Sequence, residues 1–234
     1  MKKVGLFVLC FISFMMAFGQ QADTKKEKKK ALDVPVLFKD RIVLDFFSST
    51  WFGLEDNIKQ KAINFGFNGA IMFDLPVKKN SPFSFGLGLG VTNHNLYSDA
   101  IFSIGENYTT VTNPIGDGVV YKKNKITFTN INIPIEFRYR HHRSGFKISA
   151  GVRIGVLADA HTKYRGNDPE GSDIQYNMKN YKIPNKTKIP VEFTFKTGWK
   201  FVSLNVSYVI TKFFEEGKGP RINPISFGIT LCPY

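Results

Sequence analysis

Cysteine is nearly absent from this chain: Cys10 and Cys232 are the only two among 234 residues. A scaffold stapled by disulfides is therefore excluded. No apolar run after residue 30 approaches the ~20 residues that a transmembrane helix needs. The 20 glycines follow no Gly-X-Y period, which excludes a collagen-like chain. Negative charge is also scarce, with 19 Asp and Glu against 32 Lys and Arg and a formal net charge of +13. What the chain has in quantity is apolar and aromatic residues, 43% hydrophobic with 23 Phe, too many for intrinsic disorder. The length allows one domain or two small ones.

The N-terminus reads as an export signal. Lys2 and Lys3 form a positive n-region, residues 5–18 are uncharged and apolar, and Ala17-Phe18-Gly19 offers small residues to a peptidase. Residues 1–20 are predicted to be a signal peptide cleaved near Gly19/Gln20. A retained anchor is the competing reading. Lipidation at Cys10 is disfavoured because Leu9 stands where a small residue is needed. Removing the signal takes Cys10 with it, so Cys232 has no disulfide partner, and lowers the charge to +11. Residues 21–34 are expected to be a basic, disordered periplasmic leader, whose lysines (Lys25, Lys26, Lys28, Lys29, Lys30) favour anionic lipid headgroups. The charge does not imply nucleic acid as a partner, since no basic helix or zinc-ligand spacing accompanies it.

After residue 30 the chain alternates apolar and polar residues with period two, the mark of half-buried strands. Eight segments do so: 41–52, 63–77, 83–91, 125–139, 146–160, 188–198, 202–212 and 223–233. In the third, Phe83, Phe85, Leu87, Leu89 and Val91 oppose Ser84, Gly86, Gly88 and Gly90. In the fourth, Ile131, Ile133, Ile135 and Phe137 oppose Asn130, Asn132, Glu136 and Arg138.

Alternation alone does not say which face is wet. The polar face is rich in Gly, which weakens a solvated strand but suits the crowded interior of a narrow barrel. Most of the segments run to roughly 11–15 residues, longer than the ~5–6 typical of soluble strands. Their connections measure roughly 10, 5, 33, 6, 27, 3 and 10 residues, so short and long alternate strictly, as in outer-membrane barrels with short periplasmic turns. The predicted fold is all-β: an eight-stranded antiparallel up-and-down transmembrane β-barrel over residues 35–234. The predicted location is the outer membrane. Pro134 interrupts a strand that should have neighbours on both sides, which predicts a bulge there.

Certain motifs also resemble a family. Arg41-Ile42-Val43-Leu44-Asp45 followed by Trp51, the segment Ile133-Pro134-Ile135-Glu136-Phe137-Arg138-Tyr139, and His161-Thr162-Lys163-Tyr164 are similar to the small PorT-like outer-membrane β-barrel proteins of Bacteroidota. Gly217-Lys218-Gly219-Pro220 and the terminal Tyr234 fit the same pattern. The resemblance covers about 35–234 and marks strands and turns rather than a reaction. It implies insertion by the barrel-assembly machinery through the terminal strand. PorT is associated with type IX secretion, a role that membership does not transfer.

The polar face carries Asp45, Asp74, Glu136, Arg138, Lys147, Arg153, Asp159, Glu192 and Lys196. Buried charges must be paired, so mixed signs predict a salt-bridge network filling the lumen, favoured over an ion-selective pore. Asp159 and His161 share a face and could activate a water with Lys163 nearby, but no further acidic partner can be placed, and no enzyme is expected. His141-His142 lacks a third ligand, so no metal is expected, and nothing calls for a cofactor. The sequons at Asn107, Asn185 and Asn205 carry no meaning in a bacterial setting. Aromatic loop residues Tyr97, Phe102, Tyr108, Tyr176 and Tyr181 form either a binding surface or a lid over the mouth. The functional expectation is a non-enzymatic structural or assembly/secretion-associated barrel in membrane lipid that binds envelope proteins through its extracellular loops or its periplasmic side. The alternative is a narrow diffusion channel for small solutes.

Overall fold

The computed structural model describes residues 42–232 apart from 142, 170 and 173. The expected signal peptide and leader, Arg41, His142 and Tyr234 lie outside the described residues. β-Branched and aromatic side chains at alternate positions favour extended chain, and eleven strands form: β1 (Ile42–Phe52), β2 (Phe65–Pro76), β3 (Phe83–Tyr97), β4 (Ala100–Ile104), β5 (Thr110–Pro114), β6 (Tyr121–Arg140), β7 (Phe146–Asn167), β8 (Gln175–Asn180), β9 (Val191–Trp199), β10 (Val202–Val209) and β11 (Asn223–Leu231).

Eight of them close into a ring in the order β1-β2-β3-β6-β7-β9-β10-β11, with β11 returning to β1, and every neighbouring pair is antiparallel. The fold is the expected eight-stranded barrel. Outside the ring, β4 and β5 form a hairpin and β8 pairs with an extension of β7. β6 and β7 reach 20 and 22 residues and project beyond the other strands at the end that carries the long loops.

The structure has no bulge at Pro134. Pro134 faces Arg153 on β7, and β3 and β6 keep one register on both sides of it, from Leu87↔Ile135 to Gly90↔Asn132. Only the ladder toward β3 is interrupted between those pairs, where the missing N–H of proline has its effect. Two register shifts lie higher in the β6–β7 ladder, one between Tyr121 and Lys123 and one where Thr129 and Asn130 of β6 face Asp159 and Leu157 of β7. At the second of these β7 carries the extra residue, Ala158, and its side chains change sides there.

The interior has an apolar floor and ceiling. Val43, Ala70, Met72 and Cys232 cluster at the short-turn end. Trp51, Leu96, Ile126, Phe128, Ile183, Phe213, Phe214 and Ile222 cluster at the long-loop end.

Candidate functional site

The outer wall is apolar. Phe46, Phe65, Phe85, Ile131, Leu204 and Phe227 leave about half or more of their surface exposed, on strands whose other face is buried. An apolar band encircling a molecule is far larger than the patches that soluble monomers tolerate. At the short-turn end it is edged by aromatic rings, with Phe83 stacked on Phe137 at 5.7 Å and Phe146 edge-on to Trp199 at 6.1 Å. Such a girdle suits a membrane–water boundary. Among the described residues no helix is long and apolar enough to cross a membrane.

Between floor and ceiling, acids and bases alternate through the lumen. Arg138 donates from Nη1 to Asp74 Oδ1 at 2.7 Å and from Nε to Glu136 Oε2 at 2.9 Å. Lys196 Nζ donates to the other oxygen of Glu136 at 2.9 Å and stands 3.6 Å from Asp45 Oδ1. Arg153 donates to Asp45 through Nη2 and to Glu192 Oε2 through Nη1, the latter at 3.1 Å. Glu192 Oε1 ends the chain 3.8 Å from His94 Nε2. Every member is buried. In a medium of low polarity such charges persist only when paired and hydrogen-bonded. Neutral groups complete the shell, with Asn68 and Thr230 donating to Asp45 at 2.8 and 2.6 Å.

Little space remains. A cavity of about 40 Å³ opens at the short-turn end beside Arg138, Lys147 and Lys196, and one of about 10 Å³ lies between His94, Asn130, Asn132 and Glu192. The second is roughly one water in size. Above it the mouth is sealed by rings: Phe213 stands 3.9 Å from Phe128 and 4.8 Å from Trp51 between centroids. Trp51 Nε1 donates to the carbonyl of Asn95 at 3.2 Å. The loops lock together over this layer, Thr110 N donating to Lys218 O at 2.8 Å and Thr187 N to Phe213 O at 2.8 Å.

Residues 43–215 match the model of the outer membrane protein beta-barrel domain. The chain belongs to that family. No match was found among curated proteins. Among solved structures it is similar to Ail, the attachment invasion locus protein of Yersinia pestis, in complex with the heparin analogue sucrose octasulfate. That likeness has a TM-score of 0.42 and 12% identity over 81% of this chain and 95% of the other. As a member of the family this chain is an outer-membrane barrel, and its polar residues divide into lumen and rim.

Of the polar-face residues singled out in the sequence, the lumen brings together Asp45, Asp74, Glu136, Arg138, Arg153, Glu192 and Lys196. Lys147 stands apart, its Nζ buried without a hydrogen-bond partner among the described residues. Asp159 is not in the lumen. The bulge in β7 turns it outward opposite Thr129, where its Oδ2 lies 2.6 Å from His161 Nδ1. His141 Nδ1 is occupied by Ser144 Oγ at 2.8 Å within its own turn. Asn68 and Thr230 belong to the polar faces of their strands but were not singled out as members of the network, and His94, taken as part of a long connection, lies on β3 facing inward.

The aromatic loop residues separate. Phe102 packs on Phe214 as part of the lid. Tyr108 and Tyr181 are exposed, while Tyr97 and Tyr176 are half-buried on strands. Tyr97 and Tyr181 each lie close to a lysine, Lys125 and Lys179 respectively.

Proposed function

We propose that this barrel is a sealed, non-enzymatic component of the outer membrane, structural or assembly-associated, which docks other envelope proteins through its loop end. The observation that carries this reading is the alternating ion chain across the lumen beneath an aromatic ceiling. A barrel filled in this way offers its rim and wall to other molecules rather than its bore. In the proposed orientation the three short turns face the periplasm and the extensions of β6 and β7 face outward, following the rhythm of connections. The PorT-like motifs support a place among the Bacteroidota proteins of that kind. Export by the signal peptide, cleavage near Gly19/Gln20 and insertion through the terminal strand belong to the same reading.

Planar-bilayer recording of the purified full-length protein tests it. A sealed barrel passes no steady current, whereas a stable ohmic conductance would favour the diffusion channel. Cross-linking in intact cells, with mass spectrometry of what is attached, identifies the docked proteins.

A further inference from the structure

Above the apolar belt, the upper parts of β6 and β7 form a three-stranded flap with β8. The register sets Lys125 opposite Lys163, and Lys163 opposite Lys179, so three lysines stand in a row across three strands. One pair farther out, Lys123 faces Arg165. All five project from the outward face, continuous with the lipid-facing column through Ile131 and Ile133. Like charges directly opposite each other in an antiparallel ladder destabilise it. Among the described residues no carboxylate lies within salt-bridge distance of any of the five. The acid on the same face of β7, Asp159, is engaged by His161.

Neutral and aromatic groups surround the row. Lys125 Nζ donates to Asn95 Oδ1 at 2.5 Å and lies 5.6 Å from the Tyr97 ring centroid. Lys179 Nζ lies 4.6 Å from that of Tyr181. Burial, with the charges of Lys123, Lys163 and Lys179, pulls the Lys125 ammonium down to about 8. An anion placed against these lysines would relieve their mutual repulsion.

Its height and width identify which anion. Lys125 stands at the edge of the belt, because its partner Asn95 donates from Nδ2 to the carbonyl of Phe65, an exposed residue of the apolar wall. That is the level of headgroup phosphates, and three lysines on strands ~4.8 Å apart span roughly 10 Å, room for two phosphates on a sugar headgroup rather than one. We propose that the outward face of this flap binds the phosphorylated sugar headgroup of an outer-leaflet glycolipid. Lys125, Lys163 and Lys179 contact the phosphates, and Tyr97 and Tyr181 flank the sugars. The assignment rests on the loop end facing outward.

The test uses the full-length protein immobilised in non-ionic detergent, with radiolabelled bis-phosphorylated lipid A as probe. Saturable retention is expected, weakening with salt and absent for the dephosphorylated lipid. Each lysine near an anionic surface is worth roughly fivefold, so the combined Lys125→Gln, Lys163→Gln, Lys179→Gln variant should bind roughly 100-fold more weakly. Without lipid, that variant should unfold no more readily than the parent, because a repulsion has been removed. Equal retention by the variant overturns the proposal, and so does a variant that unfolds more easily without lipid. Full competition by millimolar inorganic phosphate would assign a free-anion site instead. Tighter retention of an oligonucleotide or an acidic polysaccharide would also overturn it. Retention in micelles does not depend on orientation, which protease cleavage of the flap on intact cells reads separately.

Discussion

Arg153 reaches Asp45 across the full width of the barrel, since β7 stands four places from β1 in the ring of eight. The same guanidinium holds Glu192 on the adjacent strand β9. One side chain thus ties opposite walls together and donates to two buried carboxylates.

Removing it should leave Asp45 with Lys196 alone and Glu192 with His94 alone as ion-pair partners among the described residues. Arg153→Met is expected to lower stability by about 3–5 kcal/mol, the usual effect of breaking a buried ion pair from one side. The urea-unfolding midpoint in detergent micelles measures it. Adding Glu192→Gln to that variant should recover part of the loss, because the two sites share one network. A single variant as stable as the parent would show that the lumen is wet enough to solvate the acids by itself.

Glycine makes room for this network. A Cβ on Gly86 would lie 2.8 Å from both Cζ and Nε of Arg138, which holds Asp74 and Glu136. Gly86→Ala should therefore cost about 1–3 kcal/mol through overpacking. Gly69→Ala is the control, since its Cβ would meet only Leu44 Cδ2 at an ordinary 3.7 Å. Equal midpoints for the two variants would refute a steric role for Gly86.

The Gly positions and the ring itself were legible because the side-chain period of a strand is two and a closed barrel has one inside. That regularity is also where reading failed. Counting by twos along β7 carries Asp159 into the lumen, but the extra residue at Ala158 reverses the parity and sends it outward with His161, Lys163 and Arg165. Nothing in Leu157-Ala158-Asp159 announces a bulge, whereas Pro134, which does draw the eye, is absorbed by losing ladder contacts on one side. β8 was missed for a related reason. Its sequence, QYNMKN, has no apolar face to bury, and it exists because β7 offers a free edge. The lysine row became visible only with the register. Lys125, Lys163 and Lys179 are far apart in sequence, and each alone reads as a solvated charge.

That row gives a pH dependence with a definite sign. Lys125 lies outside the apolar belt, and its ammonium is held at about 8 against an ordinary 10.5, by burial first and then by Lys123, Lys163 and Lys179. Between these values the unfolded chain binds more protons than the folded one, so stability rises with pH, while below about 8 the full penalty applies. Raising the pH from roughly 7 to 9.5 should increase the protection factors of β7 and β8 amides in hydrogen exchange. Retention of phosphorylated lipid should fall over the same range, because the site loses a charge. Lys125→Gln should flatten both changes. Protection that declines with pH, equally in parent and variant, would place the controlling group elsewhere on the flap, where His161 and Asp159 share the outward face of β7 with Lys163.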